Sequence, residues 1–207
     1  MKTYGQFCAL ARALDRIGDR WTLLVVRELL IAPAGYAGLA RALPGIPTNL
    51  LADRLRQLEA NGIVRRVVAP PGGRGVRYEL TDLGRGLEPA LLALIRWGAE
   101  WMRTGPQEER FDPRWLVLGL RALLGAASWG GPSGEVELHL DGEVLSVVVG
   151  PHGRAVRSGP ASSPVAKIRG DATELLGVAA GMLTLDDADD LEVVGDRGTA
   201  ASVLAPA

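Results

Sequence analysis

The sequence predicts a two-part chain: a mainly helical first half closed by one β-hairpin, then an α+β half of short strands and apolar helices. Three observations carry this. Apolar residues recur at helical spacing through residues 7–61, then alternate at strand spacing over 63–68 and 76–80. In the second half, short alternating runs at 136–140, 144–149, around 154–157, 165–168 and 191–194 are interleaved with apolar helical runs at 115–124 and 175–183. The formal charge of −1 also conceals a split: residues 1–105 carry 15 basic and 9 acidic side chains, net +6, and residues 106–207 carry 8 and 15, net −7. The polar breaker Thr104-Gly105-Pro106-Gln107-Glu108-Glu109 marks the change and sets domains 1–104 and 105–207.

At 207 residues and 47% apolar composition the chain can bury a real core. Its 27 Gly and 13 Pro are scattered without a period, which excludes collagen-like and low-complexity chains. Cys8 stands alone and has no internal disulfide partner. Residues 1–7 lack the apolar stretch and cleavage site of a secretory signal, and no apolar run reaches a membrane span. A cytoplasmic protein with no membrane partner is expected.

In chain order, residues 7–31 read as two helices, with Asp19 in the Gly18-Asp19 turn capping the second and Trp21 inside its apolar run. A brief helix over 36–43 is stopped by Leu43-Pro44-Gly45-Ile46-Pro47. Another follows over 48–61, with Pro47 in or near its first turn and Asn61-Gly62 as a left-handed stop. Leu51, Leu55 and Leu58 form one stripe of that helix, while Asn49, Ala52, Asp53 and Arg56 project from the other side. The hairpin turns through residues 69–75; its tip carries Arg74, and Arg65, Arg66 and Arg77 lie near its stem. A long helix over 83–102 has more apolar surface than a surface helix needs, which fits a two-fold dimer interface.

Helices followed by a hairpin with a basic, glycine-rich tip make the plan of a winged helix-turn-helix. An amphipathic helix of this kind enters the major groove of double-stranded DNA, and an Arg-bearing wing lies along phosphates or in the minor groove. Thr48, Asn49, Ala52, Asp53, Arg56, Arg74 and Arg77 are the candidate contacts. Winged helices also dock proteins, so a scaffold or small-molecule carrier whose winged helix serves dimerisation only is the alternative.

The blocks at residues 7–15, 18–29, 39–46, 50–64 and 78–84, in order and at family-like spacing, resemble the HxlR family of bacterial winged-helix transcriptional regulators. The resemblance covers roughly residues 6–103. It implies a homodimer on a pseudo-palindromic operator, with 48–61 as the recognition helix. Asn49 stands where the family often carries Lys or Arg; an Asn can read adenine through paired hydrogen bonds. The family's cysteine, which in some members senses oxidants, falls at Cys8, whose only cationic neighbour in sequence is Arg12. A lone Cys in an apolar helix is also simply a small hydrophobe.

In the second half an antiparallel sheet with helices on one side is the natural packing. His139 and His152 have no nearby Cys, so neither a metal site nor a catalytic triad has its residues, and no cofactor and no enzyme activity are expected. The acidic run 186–190 lacks the glycine and distal Glu of a calcium loop and reads as a solvated loop. Residues 167–176, Gly181-Met182-Leu183 and 191–196 resemble the closing part of sterol carrier protein type 2-like domains. That resemblance implies an apolar cavity for a hydrophobic small-molecule effector, with Leu116, Leu120, Leu123, Leu175, Val178, Met182 and Leu183 as ample lining. The same residues would serve equally as a filled core.

Overall fold

In a computed structural model, the structure describes residues 3–68, 75–102, 109–125, 133–151 and 153–206. Its contacts divide into two units, Met1–Leu91 and Leu92–Ala207. The boundary expected at 104/105 lies outside the described residues.

The first unit runs α1 (Ala9–Ile17), α2 (Thr22–Ile31), α3 (Tyr36–Ala42), α4 (Thr48–Ala60), β1 (Val64–Val68), β2 (Val76–Leu80) and α5 (Asp82–Arg85). Its core joins Val25, Val26 and Leu29 of α2, Leu39 of α3, Leu51, Leu55 and Leu58 of α4, and Ile63, Val64 and Leu80 of the hairpin. The leucine stripe read from the sequence is thus the face α4 buries, and Gly62 (φ 69°) supplies the left-handed turn that releases the chain into β1. The strands pair antiparallel from Val64 opposite Leu80 to Val68 opposite Val76. Ala34 adds a one-residue bridge to Tyr78, its N–H and C=O both engaged at 3.1 and 2.8 Å, which fixes the hairpin stem to the α2–α3 connection.

Two local expectations are corrected, the Asp19 cap and the unbroken helix over 83–102. Asp19 does not cap α2. The N-cap is Trp21, in the left-handed region at φ 80°, and Asp19 offers only its carbonyl, to Thr22 N–H at 3.1 Å. That backbone is unfavourable for a bulky residue. The Trp21 ring packs against the core, and the Arg20 guanidinium lies 5.9 Å from its centroid. Pro47, expected in or near the first turn of α4, is its N-cap. The long helix over 83–102 is broken into α5, α6 (Glu88–Gly98) and a 3-10 turn, Ala99–Trp101.

The start of α5 has a built cause. Thr81 caps α5 by accepting from Gly84 N–H at 3.2 Å while its hydroxyl donates to Gly62 C=O at 2.6 Å. A short helix is thereby pinned against the hairpin base before α6 begins.

The second unit holds α7 (Leu116–Leu124), β3 (Gly134–Leu140), β4 (Glu143–Gly150), β5 (Gly153–Ser158), β6 (Ala166–Gly170), α8 (Ala172–Ala179), β7 (Leu191–Gly195) and α9 (Arg197–Leu204). The sheet order is β5-β4-β3-β6-β7. It is mixed rather than antiparallel, because β6 runs parallel to β3. The β3–β4 hairpin closes over Asp141-Gly142, both left-handed (φ 48° and 85°), the two-residue turn whose twist matches the strands. Val136, Leu138, Leu140, Leu145, Val147 and Ile168 form the buried side of the sheet.

The other side carries Glu135, Glu137 and His139. Ala161 N–H donates to Glu137 Oε2 at 2.9 Å, and Ser162 and Ser163 N–H to Glu135 Oε2 at 2.7 and 3.1 Å, so residues 159–165 lie as a strap over β3. Asp171 caps α8 through Glu174 N–H at 2.8 Å, as its place before the apolar run predicts. Among the described residues no helix is long and apolar enough to cross a membrane.

Candidate nucleic-acid interface

The turn between α3 and α4 is held by the Tyr36 hydroxyl, which donates to Thr48 C=O at 2.6 Å. With the stripe Leu51, Leu55 and Leu58 in the core, α4 shows solvent a polar side. Thr48, Asn49 and Arg56 are exposed there, and Ala52 and Asp53 are half-buried. The Asn49 Oδ1 accepts from Leu50 N–H at 2.9 Å, so an adenine-reading pair of hydrogen bonds requires the side chain to leave that contact. Arg56 pairs with Asp53 one turn back.

Beside this helix the hairpin stem carries its own cations. Arg65 donates through Nε to Glu79 Oε1 at 2.6 Å across the strands, and Arg66 Nε lies 3.1 Å from Glu59 Oε2 of α4. Arg77 is half-buried and donates to Pro33 C=O, so part of its donor fork already serves the backbone. Arg74 lies outside the described residues.

Arg54, which the sequence reading passed over, is the most buried cation of α4. Its side chain is 13% exposed and pairs with Asp19, itself 60% exposed, and with Gln57. This ties α4 to the α1–α2 turn. Its only local signal was position, one residue before the stripe member Leu55. Tyr78, whose ring lies 5.6 Å from the Arg66 guanidinium, was likewise not singled out.

Cys8 is exposed and is the N-cap residue of α1. The thiol pKa is lowered by the backbone N–H groups of Ala11 and then Leu10 at the helix's open end, a cause the sequence reading, which had only Arg12, did not contain. Around it Tyr4, Phe7, Leu10 and Leu14 are exposed, and farther along so are Leu83, Leu94, Trp97, Trp101 and Met102. Trp97 and Trp101 meet edge to face at 4.6 Å.

In the second unit, Leu116, Leu120, Leu175 and Val178 are buried and Leu123 is half-buried, whereas Met182 and Leu183 are 44% and 38% exposed. The helices pack closely: Leu176 reaches within 3.0 Å of where a Cβ on Gly119 would stand. The acidic run is partly engaged, with Asp186 on Arg197 at 2.8 Å and the Thr184 hydroxyl on Asp187 at 2.5 Å. Glu137, with a side chain 5% exposed, accepts from Lys167 at 2.8 Å and contacts His139 Nε2 at 2.7 Å. Those contacts, Lys167 foremost, hold its carboxyl down at about 2. Among the described residues no three His, Cys, Asp or Glu groups converge in a metal-binding cluster.

A helix that buries one face in the core and leaves a polar face to solvent, joined to a hairpin pinned at its stem, defines a winged helix-turn-helix. Residues 16–106 match the model of the HxlR-like helix-turn-helix. An uncharacterized HTH-type transcriptional regulator of Synechocystis sp. is 39% identical over 98 residues, 47% of this chain and 73% of that one. The uncharacterized HTH-type transcriptional regulator YvaP of Bacillus subtilis is 35% identical over 91 residues, 44% of this chain and 84% of that one. The solved structure of the redox regulator HypR in its reduced form is 33% identical, with a TM-score of 0.42 over 46% of this chain and 94% of that one. The chain belongs to the HxlR-like helix-turn-helix family, whose relatives are transcriptional regulators and not enzymes. The family match ends at residue 106.

Proposed function

We propose that the chain is a transcriptional regulator that binds a pseudo-palindromic operator as a homodimer, with α4 in the major groove and the hairpin along the backbone. The observation that carries this reading is α4 itself. Its leucine stripe is consumed by the core, its opposite side offers Thr48, Asn49, Asp53 and Arg56, and an arginine-bearing hairpin stands next to it. Phe7, Leu10 and Leu14 in the first unit, and separately Leu94, Trp97 and Trp101 in the second, are exposed apolar residues available to a two-fold contact. The apolar layer of Leu116, Leu120, Leu123, Leu175 and Val178 supports a sterol-carrier-like second domain that takes a hydrophobic effector. Cys8, at the open end of α1, adds an exposed thiol whose oxidation would alter the surface of that helix.

The test is binding to DNA upstream of the protein's own gene, with and without lipid extract. Arg74→Ala weakens binding to all sequences alike and flattens the salt slope by about 1, whereas Arg56→Ala relaxes sequence preference. Two variants that bind a cognate operator like the wild type refute the groove assignment. No binding under any condition removes the regulator reading in favour of a carrier whose winged helix serves dimerisation only.

A further inference from the structure

We propose that Arg66 is a DNA-phosphate contact of this interface and that Glu59 is its internal competitor, a carboxylate that occupies the guanidinium until a phosphate displaces it. The proposal rests on the DNA-binding reading above and adds to it a restraint on backbone affinity. Glu59 stands one residue before the end of α4 and Arg66 in the middle of β1, so the pair bridges the reading helix and the hairpin stem. The Nε–Oε2 distance is 3.1 Å, and the side chains are 48% and 38% exposed.

A pair that exposed is weak and can be displaced by another anion. The guanidinium is nonetheless held in place, because its Cζ lies 5.6 Å from the centre of the Tyr78 ring and the Tyr78 backbone is bridged to Ala34. Arg66 thus needs little reordering to meet a backbone oxygen, and Arg is suited to a forked phosphate contact. Its neighbours are arranged differently. Arg56 pairs with Asp53 inside one helix, Arg65 with Glu79 inside the hairpin, and Arg54 is buried against Asp19.

Duplex binding dominated by phosphate contacts loses about 0.9 in salt slope for each contact removed. That corresponds to about five-fold in affinity at 0.15 M salt. The experiment measures fluorescence anisotropy of the full chain on a labelled random-sequence duplex from 50 to 300 mM salt, for the wild type, E59Q, R66A, R66K and the E59Q/R66A double variant. R66A is expected to bind about five-fold more weakly at 0.15 M salt with a slope smaller by about 0.9, while R66K keeps the slope. E59Q is expected to bind several-fold more tightly, and that gain disappears in the double variant.

An E59Q gain that persists without Arg66, no E59Q gain, or an unchanged R66A slope overturns the proposal while leaving wild-type binding, and so the DNA reading, standing. A wild type and E59Q that both fail to bind at 50 mM salt overturn the DNA reading together with it.

Discussion

The Asp19–Arg54 pair joins residues of unequal burial, so its two halves are expected to differ in what their removal does. The Arg54 side chain is 13% exposed and that of Asp19 60%. Asp19→Asn removes the counter-charge and leaves a nearly buried guanidinium with Gln57 as its remaining side-chain partner. Losing one charged hydrogen bond at such a site costs about 2 kcal/mol, less than the loss of a fully buried pair. Arg54→Met keeps the apolar stem, leaves the exposed Asp19 to water, and removes the Arg54 Nε, which is buried without a hydrogen-bond partner among the described residues. Its cost is under about 1 kcal/mol.

Local stability of α4 reads this directly through amide hydrogen exchange of peptides spanning residues 48–60. Protection in Asp19→Asn falls about 30-fold at 1.4 kcal/mol per decade, and in Arg54→Met about five-fold or less. Equal losses, or a larger loss in Arg54→Met, refute the argument from unequal burial.

Two further outcomes follow from other contacts. Gly84→Ala places a Cβ 2.1 Å from the Ile63 carbonyl oxygen, the acceptor of Thr81 N–H, and destabilises the first unit by about 1–3 kcal/mol in calorimetry; an unchanged melting profile contradicts the close approach. Glu137 has its folded pKa depressed, from 4.5 to about 2, so the stability it contributes is present above its unfolded value and is lost as pH falls from about 4.5 through about 2. An acid titration followed by circular dichroism is expected to be shallower over that window in Glu137→Gln, and superimposable curves would show that its contacts with Lys167 and His139 do not matter there.

The parts legible in the sequence are those with a period. The stripe Leu51, Leu55 and Leu58, the hairpin strands and the α8 cap at Asp171 each follow from local spacing and side-chain chemistry. The break between α5 and α6 was also written locally, in Gly86 and Pro89, but apolar residues on either side disguised it. Strand direction was not legible, because the alternation that marks β6 is the same for a parallel or an antiparallel neighbour. Helix α9 was missed because its first turn, Arg197-Gly198-Thr199, is polar; the signal was Asp196, which caps it through Thr199 N–H at 3.0 Å. The partners of Arg54 and Arg66 lie on other elements, Asp19 and Glu59, and no periodicity reports a contact across a fold. The solvent-facing polar side of α4 was readable as a face, whereas the pairing that ties Arg54 to Asp19 was not.

The left-handed turn at Asp141-Gly142 has a consequence for how the second unit assembles. It brings β3 and β4 together with almost no chain to close, and hairpins of this type form within about 1–10 µs. The parallel partner β6 pairs Ala166 with Val136 only after β4, β5 and the strap have been threaded between them, which carries a larger loop-closure entropy. The β3–β4 hairpin therefore forms early and serves as the template on which β6 docks late. Until β6 arrives, the edge of β3 stands open, and that is the interval in which the nascent unit is most exposed to pairing with the wrong strand.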